Sequence, residues 1–577
     1  MSRIVAPICL FLTAVLVGCT SAPAPSARGR TSDAPQAPRA EQRKTLTIAA
    51  ANTVLGFGFQ SAGTTGGGAR SLIELHSNGL ATTDAKGIVI PRLAERMPSF
   101  DDNTMTILPD GRLQVTWKLR PNVKWHDGAP FTADDIVLGW KMATSPGVPV
   151  LGTTSIRQVS VVEAPDPQTA VITWKTTYYQ ALGIGLIDLW PAPRHLVGES
   201  FDHGDIEAFL NLPYWTTEYV HVGPFRLMDF GFGENLTFQR FDDYFLGRPK
   251  IDTIVVKIIP DANTLISNVL AGAVDIATEQ AVPTDLMVRL RDQWKDSGEG
   301  TIVQREGNWF FVNIQFHPEW SKSPRVGQDV RLRRGLIYGI DREAMRDAAV
   351  PGFADTEGDT FMPKSDQRAA LVGKPFAGYR FDPTRAAQEL ADGGWKRDAN
   401  GRLRNEAGEQ PQVPIRATTP SSKDMSAVAQ SWRELGIEVA EEVVPGALVS
   451  VREYRAMFPG TEVTAQNNGD AIFTRFDGRL RPTPPNFSGN QGGWYANPEL
   501  DALIDKLSAT LDMREQGLVL KEMGELVAAD LPMLPLYFSV NLAAVRKGIR
   551  ALHDDFAGAY LAGPGIITRN AYLWDRE

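Results

Sequence analysis

The chain has 577 residues, 43% of them hydrophobic and 22% charged, so its length predicts two or three folded lobes rather than one hydrophobic core. Its 59 Lys and Arg against 68 Asp and Glu give a net charge of -9, and charges of both signs are mixed along the sequence. This balance argues against a nucleic-acid partner, because phosphate binding needs a concentrated basic surface.

The first residues have the pattern of an export signal. Arg3 precedes an apolar run of about 14 residues from Ile4 to Val17, which is shorter than the ~20 residues of a membrane-spanning helix. Gly18 and Cys19 complete a stretch that resembles a bacterial lipoprotein signal, with cleavage before Cys19 and a lipid on that cysteine. The alternative is an ordinary cleaved secretory signal. Both interpretations predict export.

Residues 19–44 are predicted to form a lipid anchor and a disordered tether. The segment is rich in Ser, Ala, Pro and Arg and almost lacks large apolar side chains, so it cannot bury enough surface to fold. The two cysteines of the chain are Cys9 and Cys19. The mature protein is therefore predicted to have no internal disulfide and no cysteine-based metal site.

The stretch from Leu113 to Lys141 predicts a strand, a turn and a helix. Apolar and polar residues alternate from Leu113 to Leu119, His126-Asp127-Gly128 is typical of a turn, and Thr132 with Asp135 forms an N-terminal capping pair. The buried positions of the helix are predicted to be Ile136, Val137 and Trp140.

The sequence also predicts three further helices. Asp261 is predicted to cap a helix that begins near Ala262 and stops at Gly272. Asp382 and Pro383 begin a second helix, because proline is tolerated at the first helical position. A third helix is predicted to pack through an apolar stripe of Leu332, Leu336, Ile337 and Ile340.

The order of residues in KLRPNVKWHDGAPFTADDIVLGWK, from 118 to 141, resembles the signature of the family-5 extracytoplasmic solute-binding proteins, the oligopeptide and dipeptide receptors of ABC importers. Further blocks resemble this family in its own order between about 45 and 537. Two regions, roughly 146–215 and 455–490, depart from the family pattern. Among these blocks are HVGPFRL at 221–227, DVRLRRGLIYGIDR at 329–342, FDPTRAAQELADGGW at 381–395, WYANPELD at 494–501 and DLPMLPLY at 530–537.

The resemblance implies an α/β fold of the periplasmic-binding-protein type II, with two lobes around a ligand cleft and an additional inserted subdomain. The segments expected from it are a signal peptide over 1–18, the anchor and tether over 19–44, a discontinuous first lobe over 45–95, 196–316 and 541–577, an inserted subdomain over 96–195 and a second lobe over 317–540.

The same resemblance implies a function. The chain is expected to be an extracytoplasmic substrate-binding lipoprotein, a monomer without a cofactor, that captures peptides and delivers them to ABC permease and ATPase subunits on separate chains. Its predicted location is the cell membrane, through the lipid anchor. Relatives that bind nickel chelates, opines, sugars or glutathione leave a non-peptide solute open.

Four residues are expected near the ligand by this likeness. Asp477 aligns with the family aspartate that meets a peptide α-ammonium, and Arg475 stands beside it. The alternative is that Asp477 only pairs with a neighbouring arginine, and the extra arginines there leave open a ligand with a carboxylate or phosphate. Trp309 and Trp494 are expected to line the cleft. Trp125 and Trp140 are expected in the core.

An enzymatic function is not indicated. The seven histidines are scattered without an HExxH pair, and no GxSxG sequence occurs. Neither a catalytic set nor a metal site is therefore predicted, and His126 is expected to be structural. An envelope hydrolase stays the alternative class, because residues distant in sequence can meet in space.

Overall fold

The structure is a computed structural model that describes residues 43–58, 69–149, 154–352, 357–467, 469–489, 492–552 and 566–577. The predicted signal peptide, the lipidated Cys19 and the tether up to residue 42 lie outside the described residues. In the described part of the chain, the strands are β1 Thr45–Ala50, β2 Ala81–Thr83, β3 Val89–Pro91, β4 Met105–Ile107, β5 Leu113–Lys118, β6 Val159–Asp166, β7 Thr169–Trp174, β8 Phe225–Phe230, β9 Asn235–Arg240, β10 Thr253–Ile258, β11 Ile276–Ala277, β12 Gly300–Ile314, β13 Lys396–Arg397, β14 Leu403–Arg404, β15 Ile415–Ala417, β16 Glu441–Val443, β17 Thr461–Gln466, β18 Met533–Arg546, β19 Ile549–Arg550 and β20 Asp575–Arg576.

Helices alternate with these strands along the chain. In the same described ranges they are α1 Ile73–His76, α2 Ala133–Thr144, α3 Thr154–Gln158, α4 Glu199–Asp202, α5 Ile206–Leu210, α6 Ala262–Leu270, α7 Thr284–Ser297, α8 Pro324–Gln328, α9 Val330–Tyr338, α10 Arg342–Ala349, α11 Ala369–Val372, α12 Pro383–Asp392, α13 Ser422–Glu434, α14 Arg452–Ala456, α15 Pro498–Ala509 and α16 Met513–Asp530. Short 3-10 turns, among them Asp470–Phe476 and Gly478–Leu480, complete the described structure.

A ribbon of two long strands organises the main sheet. The sheet has ten strands in the order β16-β15-β17-β12-β18-β11-β1-β10-β9-β8. β11 pairs with β18 near one end of the ribbon, at Ala544 and Val545. β17 pairs with β12 near the other end, from Trp309 to Ile314. Two groups of strands are thus attached to opposite ends of the β12–β18 ribbon.

The pairing within the ribbon breaks between these two ends. Glu306 pairs with Val540 and Trp309 pairs with Phe538, so the register shifts between them. Gly307 lies in this break, where a β-carbon would run into the side chain of Ser539. A glycine at such a position marks a β-bulge, which bends the strand locally.

A separate four-stranded sheet lies within the segment 96–195. Its order is β4-β5-β7-β6, and all its neighbouring strands are antiparallel. Helix α2 begins where the sequence predicted, since the Asp135 carboxylate accepts a hydrogen bond from Thr132 N at 2.8 Å. Ile136 is fully buried, while Val137 and Trp140 are half-buried against the same core. Trp125 is buried in this core, as predicted.

The other predicted helix signals are also confirmed. Asp261 accepts a hydrogen bond from Thr264 N at 2.8 Å at the start of α6, and Gly272 beyond its end has a φ of 76°. Asp382 caps α12 and Pro383 is its first residue. The predicted stripe packs into one large core, with exposed fractions of 4% for Leu332, 1% for Leu336 and 0% for both Ile337 and Ile340.

Candidate ligand-binding site

A buried carboxylate lies where the segment 96–195, predicted to be an inserted subdomain and called the inserted segment below, meets the segment 317–540. Asp470 follows β17 and is 2% exposed. Its Oδ2 atom accepts a hydrogen bond from the hydroxyl of Tyr179 at 3.0 Å and one from the guanidinium of Arg368 at 2.8 Å. The contact with Tyr179 therefore joins residues 291 positions apart in the sequence.

Arg368 binds several acceptors at once. Besides Asp470, its guanidinium donates to Asp366 Oδ2 at 2.7 Å and to Gln516 Oε1 at 3.1 Å. Burial disfavours the charged form of Arg368, but the carboxylates of Asp470 and Asp366 outweigh burial and raise its pKa. We name Tyr179, Asp366, Arg368, Asp470 and Gln516 the Asp470 cluster; it contains two carboxylates and one guanidinium.

The inserted segment makes a second bond to the same region. The backbone N–H of Tyr179 donates to the carbonyl oxygen of Ser508 at 3.0 Å. The Tyr179 side chain also packs against both the core of the inserted segment and the large core that contains α9. One residue thus contributes a side-chain bond, a main-chain bond and apolar contact between two parts of the chain.

Asp477 is hydrogen-bonded to Arg479, two residues later in the chain. Both of its oxygens accept hydrogen bonds from the Arg479 guanidinium, at 2.8 and 2.9 Å, and its Oδ1 accepts one from Arg479 N at 3.0 Å. Arg479 also pairs with Asp505 at 2.7 Å. These hydrogen bonds raise the pKa of Arg479. Asp477 therefore does pair with a neighbouring arginine, which was the alternative to ligand binding. Ligand binding at Asp477 stays a prediction.

Arg475 points into the protein. Its side chain is buried, lies 5.4 Å from the centre of the Phe311 ring and donates to Gln466 Oε1 at 3.0 Å. Burial lowers the pKa of Arg475 to about 10, although the nearby carboxylate of Glu462 acts in the opposite direction. A role in ligand binding stays a prediction for this residue too.

The two tryptophans predicted at the ligand have different surroundings. Trp309 is 1% exposed and its ring contacts the rings of Phe311, Phe361, Phe376 and Phe538, so this placement supports packing rather than ligand contact. Trp494 is half-buried in an aromatic group at the surface. Its ring lies 4.5 Å from His317 and 5.1 Å from Trp320, with Arg481 4.9 Å above it.

Sequence reasoning missed Asp470 and Tyr179. Asp470 follows Gly469, and a glycine beyond the end of a strand indicates a turn, so the sequence marks a turn at this position but not the contacts of the aspartate. No local pattern marks Tyr179, because its partners Asp470 and Ser508 lie far along the chain.

The described ranges bear on metal binding and on membrane crossing. Among those residues, no three His, Cys, Asp or Glu side chains are grouped so that they could hold a metal ion. Nor does any helix described there combine the length and apolar character needed to cross a bilayer.

Known proteins resemble this chain over most of its length. The oligopeptide-binding protein AppA of Bacillus subtilis is 23% identical over 484 residues, covering 82% of each chain. Heme-binding protein A of Haemophilus influenzae is 25% identical over 514 residues, covering 82% of this chain and 84% of that protein. The crystal structure of an oligopeptide binding protein from Thermus thermophilus with a pentapeptide has a TM-score of 0.70 at 21% identity, covering 92% of this chain and 96% of that one.

The structural likeness confirms the predicted fold class. The family described as "Bacterial extracellular solute-binding proteins, family 5 Middle" matches residues 89–497, which is more than half of the chain. The matched range includes the strand, turn and helix of 113–141, and it includes both Tyr179 and Asp470 of the Asp470 cluster. The chain therefore belongs to the bacterial extracellular solute-binding proteins of family 5.

Proposed function

We propose that this chain is the substrate-binding lipoprotein of an ABC importer, which captures peptides between two closing lobes and delivers them to a membrane permease. Members of its family are extracytoplasmic transport receptors for peptides or other small solutes. In this proposal the lipid on Cys19 and the tether over 19–44 hold the receptor at the membrane, and the permease and ATPase are separate chains.

The β12–β18 ribbon is the proposed hinge. The first lobe, over 45–95, 196–316 and 541–577, and the second lobe, over 317–540, are attached to its opposite ends, on either side of the register break at Glu306 and Trp309. A bulge of this kind bends the strand and interrupts its ladder of hydrogen bonds, which is why we place the hinge there. Ligand that contacts both lobes then shifts the population toward the closed form.

The excess of carboxylates over guanidinium groups in the Asp470 cluster is the observation that supports a peptide as the ligand. Asp366 and Asp470 place two carboxylates around the single guanidinium of Arg368, and all three side chains are nearly buried. The excess of one negative charge favours a cationic ligand group, and a peptide α-ammonium supplies one. Opening of the inserted segment at Tyr179 would expose Asp470 to that group.

A thermal-shift screen tests the proposal. The soluble form starting near Thr45 is mixed with pooled peptides of about two to eight residues and, separately, with haem, metal chelates, opines and sugars. A peptide at about a hundred times its dissociation constant is expected to stabilise the fold by ~2.7 kcal/mol. If only another pool raises the melting temperature, the receptor function stands and the peptide assignment is wrong. If no pool raises it, the proposal is contradicted.

Asp470→Asn and Asp477→Asn form a matched pair for locating the ammonium site. Both changes remove one carboxylate charge and keep its shape. We expect Asp470→Asn to weaken peptide affinity about tenfold or more, since a hydrogen bond to a charged group contributes roughly 1.5–3 kcal/mol. The sequence-based prediction that Asp477 meets the ammonium requires the larger loss for Asp477→Asn instead, and calorimetric titration of both variants decides between the two carboxylates. The reverse ranking would return the site to Asp477.

The Tyr179 hydroxyl is expected to hold the inserted segment against the second lobe. Tyr179→Phe removes its bond to Asp470, which should cost roughly 1 kcal/mol and shift the ligand-free protein toward an open form. Tyr178→Phe is the matched control, because the Tyr178 hydroxyl bonds to Ser155 and Gln180 within the inserted segment. Fluorescence energy transfer between labels on the two parts measures opening; equal transfer in both variants would refute the role of Tyr179.

A further inference from the structure

A cavity of about 280 Å³ lies beside strand β18 and shares no lining residue with the Asp470 cluster. The start of α10, the segment 357–359, the two residues 380–381 and the strand residues 536–537 line it. The segment 357–359 lies directly on the strand, since Glu357 forms a β-bridge with Tyr537 and a β-carbon at Gly358 would run into the carbonyl group of Leu536. We name this space the Asp359 cavity.

A buried carboxylate lines the Asp359 cavity. Asp359 is 2% exposed, and its Oδ1 atom accepts a hydrogen bond from the guanidinium of Arg342 at 2.9 Å. Its Oδ2 atom accepts no hydrogen bond from any described residue, although Nη2 of Arg380 lies 3.0 Å away as an ion pair. A carboxylate oxygen has two acceptor positions, and a buried acceptor without a donor is unfavourable. Oδ2 of Asp359 is therefore available to a donor that enters the cavity.

Two arginines of α10 bring hydrogen-bond donors to the same cavity. Both hydrogen bonds of Arg342 come from Nη2, to Asp359 and to the carbonyl oxygen of Tyr379 at 2.7 Å. Both hydrogen bonds of Arg346 go to Asp347 Oδ1, from Nε at 2.9 Å and from Nη2 at 2.7 Å. Within the described ranges, Nη1 of each arginine therefore remains for an acceptor in the cavity.

The other charged side chains that line the cavity already have partners. Glu343 accepts a hydrogen bond from Arg380 at 2.8 Å, and Glu357 accepts one from Lys374 at 2.7 Å. Asp341 accepts one from a backbone amide of α10 at 2.9 Å. Acidic and basic side chains are thus nearly balanced, so the cavity favours neither a simple cation nor a simple anion. It favours a ligand that carries one group of each sign.

We propose that the Asp359 cavity binds a small zwitterion of the α-amino acid type. The ligand ammonium donates to Oδ2 of Asp359, and the ligand carboxylate accepts from Arg342 and Arg346, because guanidinium groups match the geometry of carboxylate oxygens. Phe381 and Tyr537 supply apolar lining for the ligand side chain, and Phe381 is 48% exposed. This site is independent of the ammonium site proposed at Asp470.

Calorimetric titration of the full chain with L-leucine tests this site. The wild type is expected to bind leucine, and Arg346→Gln is expected to bind it about tenfold more weakly or worse, because a hydrogen bond to the ligand carboxylate is lost. Arg331→Gln is the matched control, since Arg331 also pairs with a nearby aspartate but does not line the cavity. No binding by the wild type, equal affinity of the wild type and Arg346→Gln, or equal loss in both variants would overturn the site.

Two analogues of leucine test the zwitterion with the unaltered protein. L-Leucinamide keeps the ammonium and lacks the carboxylate, whereas 4-methylpentanoate keeps the carboxylate and lacks the ammonium. Each is expected to bind at least about tenfold more weakly than leucine. An analogue that binds as tightly as leucine would show that the missing group is not recognised, and this would contradict the proposal.

Phe381→Ala locates the site if Arg346→Gln does not fold. Its side chain is half-exposed, and its loss should weaken leucine binding severalfold by removing apolar contact. Phe232→Ala is the control, because Phe232 is 65% exposed and does not line the cavity. Equal affinities for these two variants would show that leucine binds elsewhere.

Discussion

Acidification from pH 6.5 toward pH 4 is expected to unfold the protein steeply, because three buried histidines must take up protons. His76 and His126 are each 6% exposed and His221 is fully buried. Burial is the main cause that lowers the pKa of His76 to about 3 and that of His126 to about 4, and it lowers the pKa of His221 well below its usual value of 6.5.

Hydrogen bonds show why the neutral form of His126 is required. Its Nδ1 atom accepts a bond from the backbone N–H of His221 at 3.1 Å, and its Nε2 atom donates to the carbonyl oxygen of Gly223 at 3.0 Å. A proton on Nδ1 would face another donor. Aromatic rings also pack against His221, whose ring centre lies 5.2 Å from that of Trp125 and 4.9 Å from that of Trp190. We call His76, His126 and His221 the histidine cluster.

The sign of the effect follows from the direction of these pKa shifts. Above pH 6.5 each histidine is neutral in both states, whereas below 6.5 the unfolded chain takes up the proton first and is favoured. Each proton contributes about 1.4 kcal/mol per pH unit, so three give at most about 4 kcal/mol per unit. Glu74 and Asp135 oppose this loss, because burial raises the pKa of both carboxyls.

Urea unfolding at a series of pH values measures the effect, and variants isolate the histidine part. His126→Asn is expected to be less stable near pH 7 but to lose about 2 kcal/mol less than the wild type between pH 6.5 and pH 4. His203→Asn removes an exposed histidine and should leave the pH dependence unchanged. A parallel curve for His126→Asn would show that His126 does not titrate on unfolding.

Arg368→Met is expected to lower the free energy of unfolding by about 3–5 kcal/mol, because it leaves two carboxylates without their guanidinium. The side chains concerned are nearly buried, with exposed fractions of 6% for Asp366 and 0% for Asp470. Adding Asp470→Asn should recover part of the loss, since one of the two stranded charges is then removed. Urea unfolding of the single and double variants measures both.

Arg331→Met is the matched control for that experiment. Arg331 pairs with Asp329 at 3.0 Å, again two residues earlier in the chain, but its side chain is 51% exposed. An exposed pair contributes roughly 0–1 kcal/mol, so this change should have a small effect. Equal losses for Arg331→Met and Arg368→Met would mean that burial of the Asp470 cluster does not decide its energy.

Local chemistry made much of the fold predictable from the sequence. The capping bonds of Asp135, Asp261 and Asp382 are confirmed, and they were predictable because in each case the side chain binds a backbone amide only three residues away. The fold class followed from the order of motifs, and it is confirmed as well. The lobe boundaries and the ligand residues stay predictions.

The site was harder to predict for a physical reason. Tyr179 and Asp470 lie in the two regions that depart from the family pattern, and what brings them together is the packing of distant segments. Trp309 and Arg475 show the same limit. The family resemblance predicts both near the ligand, but only tertiary contacts show that aromatic rings surround the first and that the second lies 5.4 Å from the centre of the Phe311 ring. The histidine cluster likewise joins residues from distant parts of the chain, which no motif records.

The β12–β18 ribbon also decides when the chain can fold. Ile276 of β11 pairs with Val545 of β18, and Lys44 beside β1 contacts Asp575 near the other terminus. Pairing over such sequence separations is slow, because a long loop must close before any contact forms. The sheet that begins at Thr45 therefore stays incomplete until β18 has been synthesised, so most of the chain leaves the ribosome before its central sheet can close.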